Sequence, residues 1–154
     1  MYIKHGKIKF SYRDSYDMEP LGTIIADWLK NYRDTIVKRN KEGMCIGVPS
    51  SVLSEAFGEE WYIEQSTNGG LTDDHIELGF NYWIAIIDQM IYSFEMNEPE
   101  YQGSLSHTIS EDGQVLIDKD EHLWQKYMEE CDTHEEKCKE GRALFAKHFG
   151  SLWW

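Results

Sequence analysis

Apolar side chains at Leu21, Ile24, Ile25, Trp28, Leu29, Tyr32 and Ile36 recur at the three- and four-residue spacing that lines one face of a helix. Asp17 as N-cap, Pro20 in the first turn, and Lys38, Arg39 and Lys41 ahead of Gly43 bound this helix at about residues 18–42. A second periodic run starts behind Thr72, an N-cap followed by Asp73 and Asp74, whose charges suit the positive end of a helix dipole. Ile76, Phe80, Trp83, Ile84, Ile87, Ile91 and Phe94 share its face, with Ile86 and Met90 widening the stripe. The run predicts a central helix to about Asn97, ahead of Pro99. A third stripe, Leu123, Tyr127, His134, Cys138, Gly141, Phe145, Phe149 and Leu152, flanked by Cys131 and His148, predicts a helix from Asp118 or Asp120 to about Leu152. That is long for a globular helix, so a kink is expected near Gly141.

The connections carry weaker patterns. Ile3, Ile8, Phe10 and Tyr12 alternate around Gly6 and suggest a short strand or hairpin over residues 2–12. Residues 44–71 are mixed: Ser50 or Ser51 caps a short helix through Phe57, and Asn68-Gly69-Gly70 breaks the chain before the central helix. Residues 99–118 read as a long loop with a short strand at Gln114-Val115-Leu116-Ile117. The expected fold is mainly all-α, a single helical domain built as a compact bundle of three long helices with irregular connections and a short N-terminal β hairpin.

Composition supports a folded chain and narrows its partners. Of 154 residues, 41% are apolar and 14% aromatic, enough to build a core, while 28 acids against 15 bases give a net charge of −13. Such a balance opposes direct nucleic-acid binding and docking on anionic membranes, both of which need basic surface. No run approaches the roughly 18 apolar residues of a membrane span, and the N-terminus lacks the apolar core of an export signal. A cytosolic protein with Cys45, Cys131 and Cys138 as reduced thiols is therefore expected. The acids cluster at 55–64, 73–77, 95–100 and 111–136, and the bases at 30–41 and 137–147. This predicts an acidic side suited to a basic protein and a more basic end where Arg142 and Lys147 meet an anion.

Candidate chemistry is sparse. Cys131, His134 and Cys138 lie at i, i+3 and i+7 on one helix face and are zinc-binding types, yet the cysteines stand about 10 Å apart along the axis. The expectation is a buried small-residue stripe with a hydrogen-bonded histidine, and no metal. Glu77, Asn81, Asp88 and Glu95 border the apolar stripe of the central helix. They would hold a divalent cation if Glu129, Glu130 or Glu136 faced them, and a solvated polar edge otherwise. Asp88, close to the apolar positions, needs a partner, expected to be Arg142 or Lys147. No nucleophile motif and no phosphate-cradling glycine loop is present, so no catalytic residue and no cofactor is assigned. A nucleotide-like small molecule would be held by Trp83, Tyr82 and Trp124 stacking on its base and by Arg142, Lys147 and His134 at its phosphates. At least one of Trp153 and Trp154 is expected to fold back into the core; otherwise they suit an interface with a partner or with a second copy in a homo-oligomer.

Two segments carry a family resemblance. The central helix reads Trp83-x4-Asp88-x-Met90-Ile91-x2-Phe94-Glu95, and the last helix His134-x-Glu136-x4-Gly141-x2-Leu144-Phe145-x-Lys147-x4-Leu152-Trp153. The pair resembles a group of small uncharacterised tailed-bacteriophage proteins, in which W-x(2,3)-[LI]-D-x-M-I-x-x-F precedes G-x-R-L-F-x-K-Y-Y-x-x-L-W. Residues 17–29 match more loosely. The sequence departs from the pattern around Arg142, at His148-Phe149 in place of an aromatic pair, and at Trp154 in place of an acidic end. The resemblance implies a phage accessory protein in the host cytoplasm and brings no activity with it. The expected function is binding that inhibits or redirects a host protein, a defence factor or a nucleic-acid enzyme, through an acidic surface. Sequestration of a nucleotide immune signal and metal-dependent nucleotide hydrolysis are the alternatives.

Overall fold

The computed structural model describes residues 2–4, 7–9, 19–44, 48–68, 70, 72–95 and 97–152, with the side chains of those from 21 onward, Ser66 apart. It is mainly helical. Three long helices are present: α1 (Glu19–Lys41), α4 (Asp73–Phe94) and α5 (Glu121–His148), with the shorter α2 (Ser50–Phe57) and α3 (Glu59–Asn68) between the first two. Two separate antiparallel hairpins complete it, β1 (Tyr2–Lys4) with β2 (Lys7–Lys9) and β3 (Ser106–Ile109) with β4 (Val115–Asp118). The expected Asp17 cap lies outside the described residues.

Local chemistry explains most boundaries. Thr72 Oγ1 accepts from His75 N at 3.4 Å and starts α4; Asp120 carboxylate accepts from Leu123 N at 3.0 Å and starts α5. Helix α4 stops at Phe94, one turn short of the expected Asn97, with Glu95 as its extended C-cap. Helix α2 begins behind Pro49 without a side-chain cap, so neither serine performs the capping expected of it. Helix α3 is an element the spacing did not predict. None of its described side chains is buried, so it has no apolar stripe to read.

Helix α4 is the centre. α1 and α5 each pack along it and α2 leans on it. The core joins Leu29 and Ile36 of α1, Val52 of α2 and Phe80, Trp83, Ile86, Ile87, Met90 and Ile91 of α4. Leu152, in a 3-10 turn over Phe149–Leu152 after α5, closes it. Each large side chain buried here contributes about 1.5–3 kcal/mol. Helix α5 runs unbroken through Gly141, where a kink was expected. The glycine serves contact instead: an added Cβ would collide with the Gln89 carbonyl oxygen and come within 2.6 Å of Ser93 Cβ. Hydrogen alone lets the two backbones approach this closely.

Candidate functional site

No described residue from 94 to 137 is buried, although this stretch includes more than half of α5 and both strands of the second hairpin. The segment is an arm fixed to the core at one end. Its sequence accounts for this: the α5 stripe is thin before Cys138, and residues 97–114 are polar, acidic or glycine except at Pro99, Tyr101, Leu105 and Ile109. What ordering it has comes from a small aromatic cluster. Tyr101 and Trp124 lie 5.5 Å apart, Trp124 and Tyr127 5.5 Å, and Tyr101 and Tyr127 5.8 Å between ring centres. Tyr101 hydroxyl also donates to the Asp120 carbonyl at 3.4 Å, and Lys119 ammonium sits 4.1 Å over the Trp124 ring.

The hairpin at the far end is built by its turn. Ser110 carbonyl accepts from Gly113 N at 2.9 Å, Ser110 N donates to the Gln114 carbonyl at 2.9 Å, and Gly113 takes φ +82°. A residue with a Cβ is strained at that φ, so glycine sets the turn and with it the register. Ser110 hydroxyl donates to the Asp112 carboxylate and holds its pKa below the usual range, keeping the tip charged. The pairs His107↔Ile117 and Ile109↔Val115 share one face, while Ser106↔Asp118 and Thr108↔Leu116 share the other. Ile109, Val115 and Ile117 therefore stand together, each more than half exposed, as are Leu116 and Leu105. Among the described residues this hairpin packs on no other helix or strand.

Charge concentrates in the same segment. Residues 94–137 hold thirteen carboxylates against three lysines, −10 of the −13 of the whole chain. Lys119 is taken up by Trp124 and Glu121 (3.9 Å), Lys126 by Glu130 (3.7 Å), and Lys137 lies 5.9 Å from the Tyr92 ring. The arm is therefore an acidic surface around an exposed apolar face.

Where arm meets core, an open groove of about 510 Å³ is lined by Tyr92, Lys126, Glu129, Thr133, His134 and Lys137 among others. His134 Nδ1 shares a 2.8 Å hydrogen bond with the Tyr92 hydroxyl, and its Nε2 lies 3.4 Å from Cys138 Sγ. Burial pushes the Cys138 thiol pKa up. Cys131 is not part of this pair; it lies beside Tyr127 and raises its pKa. The described residues contain no group of three or more His, Cys, Asp and Glu placed to hold a metal ion. Cys138, which is buried, meets His134, and Cys131, which is half-buried, does not join them.

The remaining candidates lie apart from one another. Asp88 pairs with Arg33 of α1 at 2.6 Å, not with Arg142 or Lys147, because the polar border of α4 faces α1. Glu95 of the same border pairs with Lys30 at 2.5 Å, so these carboxylates meet cations rather than Glu129, Glu130 or Glu136. Lys147 is held by Glu55 at 2.7 Å, which lowers the Glu55 pKa and occupies the ammonium proposed for an anion. Arg142 is exposed on α5. Trp83 is 1% exposed and packs edge-on against the equally buried His148 at 5.6 Å, inside the core and away from Trp124. His148 Nε2 lies 3.4 Å from Glu55 Oε2, an ion-pair distance without hydrogen-bond alignment, and burial lowers its pKa. Trp153 and Trp154 lie outside the described residues.

Sequence reading located the acidic run at 111–136 but missed that it surrounds a two-stranded apolar face. The available signal was Ile109 and Val115-Leu116-Ile117 flanking Ser110-Glu111-Asp112-Gly113, a hairpin pattern with glycine at the end of its turn. No helix of the described residues is long and apolar enough to cross a membrane. Comparison of the chain with protein-family models, curated proteins and solved structures returns no match to any of them.

Proposed function

We propose that this chain is a non-enzymatic binding protein that docks on a basic protein through the arm formed by residues 94–137. The observation that carries the reading is the coincidence, in one segment with no buried residue among those described, of −10 net charge and the exposed Ile109, Val115 and Ile117. A two-stranded hairpin is marginal on its own in water, and covering its apolar face stabilises it. Partners of standard interface size contribute about 20–30 residues a side, which the arm can supply. Long-range attraction between the carboxylates and a cationic surface speeds encounter and selects basic targets. In the setting implied by the sequence resemblance, the partner is a host protein met in the cytoplasm of an infected cell, and nucleic-acid enzymes and defence factors offer such basic surfaces.

A photo-crosslinking amino acid placed at Ile109 or at Ile117, and as control at exposed Ala143 of α5, tests this in producing cells. The expected result is an adduct from both hairpin positions and none from Ala143, with one basic protein. Its purified form then binds with an affinity that falls about tenfold or more as salt rises from about 50 to about 500 mM. Adducts at Ala143 alone, or binding indifferent to salt, would contradict the proposal.

A further inference from the structure

We infer that β4 is an open strand edge to which the basic partner adds an extended segment, with apolar residues alternating with lysine or arginine. This rests on the arm being the docking surface and names how it docks. The Ser110–Gln114 hydrogen bond fixes the alternation of the ladder: Thr108 and Leu116 face each other as the next bonded pair, so the backbone N–H and C=O of Val115 and Ile117 point away from β3. No helix or strand among the described residues covers them. Strand edges left open are ordinarily blunted by proline, lysine or an inward charge, and β4, Val115-Leu116-Ile117-Asp118, has none of these before its last residue.

An added strand continues the side-chain alternation. Every second residue would lie beside Val115 and Ile117 on the apolar face, and the residues between would lie beside Leu116 and Asp118. Glu111 and Asp112 at the tip and Asp118, Asp120 and Glu121 at the base place carboxylates at both ends of the edge. Those carboxylates select the occupant. A second copy of this chain would bring the same acids alongside, a repulsive arrangement, whereas a segment with alternating lysine or arginine meets them with opposite charge.

The test uses three synthetic peptides on the full chain, read by the hydrogen exchange and NMR shifts of its amides. They are an extended peptide of alternating valine and lysine, the same peptide N-methylated at alternate residues, and a basic amphipathic helix. The extended peptide should slow exchange at Val115 and Ile117, and N-methylation or the variant Ile117→Pro, which removes one outward N–H, should weaken binding about tenfold. Equal binding by the N-methylated peptide overturns strand addition. Binding by the helical peptide alone, with shifts spread over residues 94–137, also overturns it and leaves the docking surface standing. Protection at Val115 and Ile117 that grows with protein concentration and needs no peptide overturns the basic occupant in favour of a second copy. No response of residues 94–137 to any peptide overturns both readings.

Discussion

At Gly141 a hydrogen atom is all that separates α5 from the Gln89 carbonyl oxygen and Ser93 of α4. Alanine there gains about 1 kcal/mol of helix propensity but must push the two helices apart, an overpacking cost of about 1–3 kcal/mol whose contact is with backbone and cannot relax by a rotamer change. Gly141→Ala should therefore lower the urea midpoint, and an unchanged or higher midpoint would contradict the close packing. His148 gives a second test. It faces Glu55 of α2, Lys147 of its own helix and the Trp83 ring, and burial holds its pKa below the ordinary 6.5. The unfolded chain then binds this proton first, so the stability that depends on a neutral His148 is complete above about pH 6.5 and is lost as pH falls through the lowered folded value. Glu55, lowered by Lys147, adds a separate loss below about pH 4.5. Unfolding free energy measured from pH 7.5 to 5 should fall for the native chain, and His148→Leu should flatten that slope. A slope that persists in the variant would place the titration elsewhere.

The three long helices were legible because each buries a stripe at 3.6-residue spacing, and the caps Thr72 and Asp120 mark where two of them start. Elements without such a stripe were not legible. No described side chain of α3 is buried, and β3, Ser106-His107-Thr108-Ile109, is too polar to read as a strand until β4 pairs with it. The α5 stripe was read as one continuous contact surface, yet burial begins at Cys138; the earlier position Tyr127 meets the Tyr101–Trp124 cluster instead of the core, and Leu123 is half-buried. Two outcomes follow for the elements. Replacing residues 105–118 by a short glycine-serine linker should leave the unfolding midpoint of the helical core unchanged, since no described residue there is buried. Amides of α5 before Thr133 should exchange with solvent faster than those after Cys138. Loss of core stability in the linker variant, or uniform exchange along α5, would contradict an arm that stands apart from the core.

Across the whole molecule, charge and burial divide the chain in the same place. Core-forming residues carry little of the net charge, and the arm carries −10 of it. The acidic side was legible from composition, and its apolar centre was not, because residues 99–118 read as a loop with one short strand, and only the pairing with β3 brings Ile109, Val115 and Ile117 together on an exposed face. The residues picked for small-molecule chemistry were chosen by type, and their contacts disperse them: Trp83 is inside the core, Lys147 on Glu55, Asp88 on Arg33, and His134 between Tyr92 and Cys138. On the proposed function, the arm is where another protein binds. Amide hydrogen exchange of the full chain, alone and with the purified partner obtained by crosslinking, tests it most directly. Slowed exchange confined to residues 97–137, strongest at Val115 and Ile117, is the expected result. Protection over α1 or α2 with the arm unchanged would contradict it.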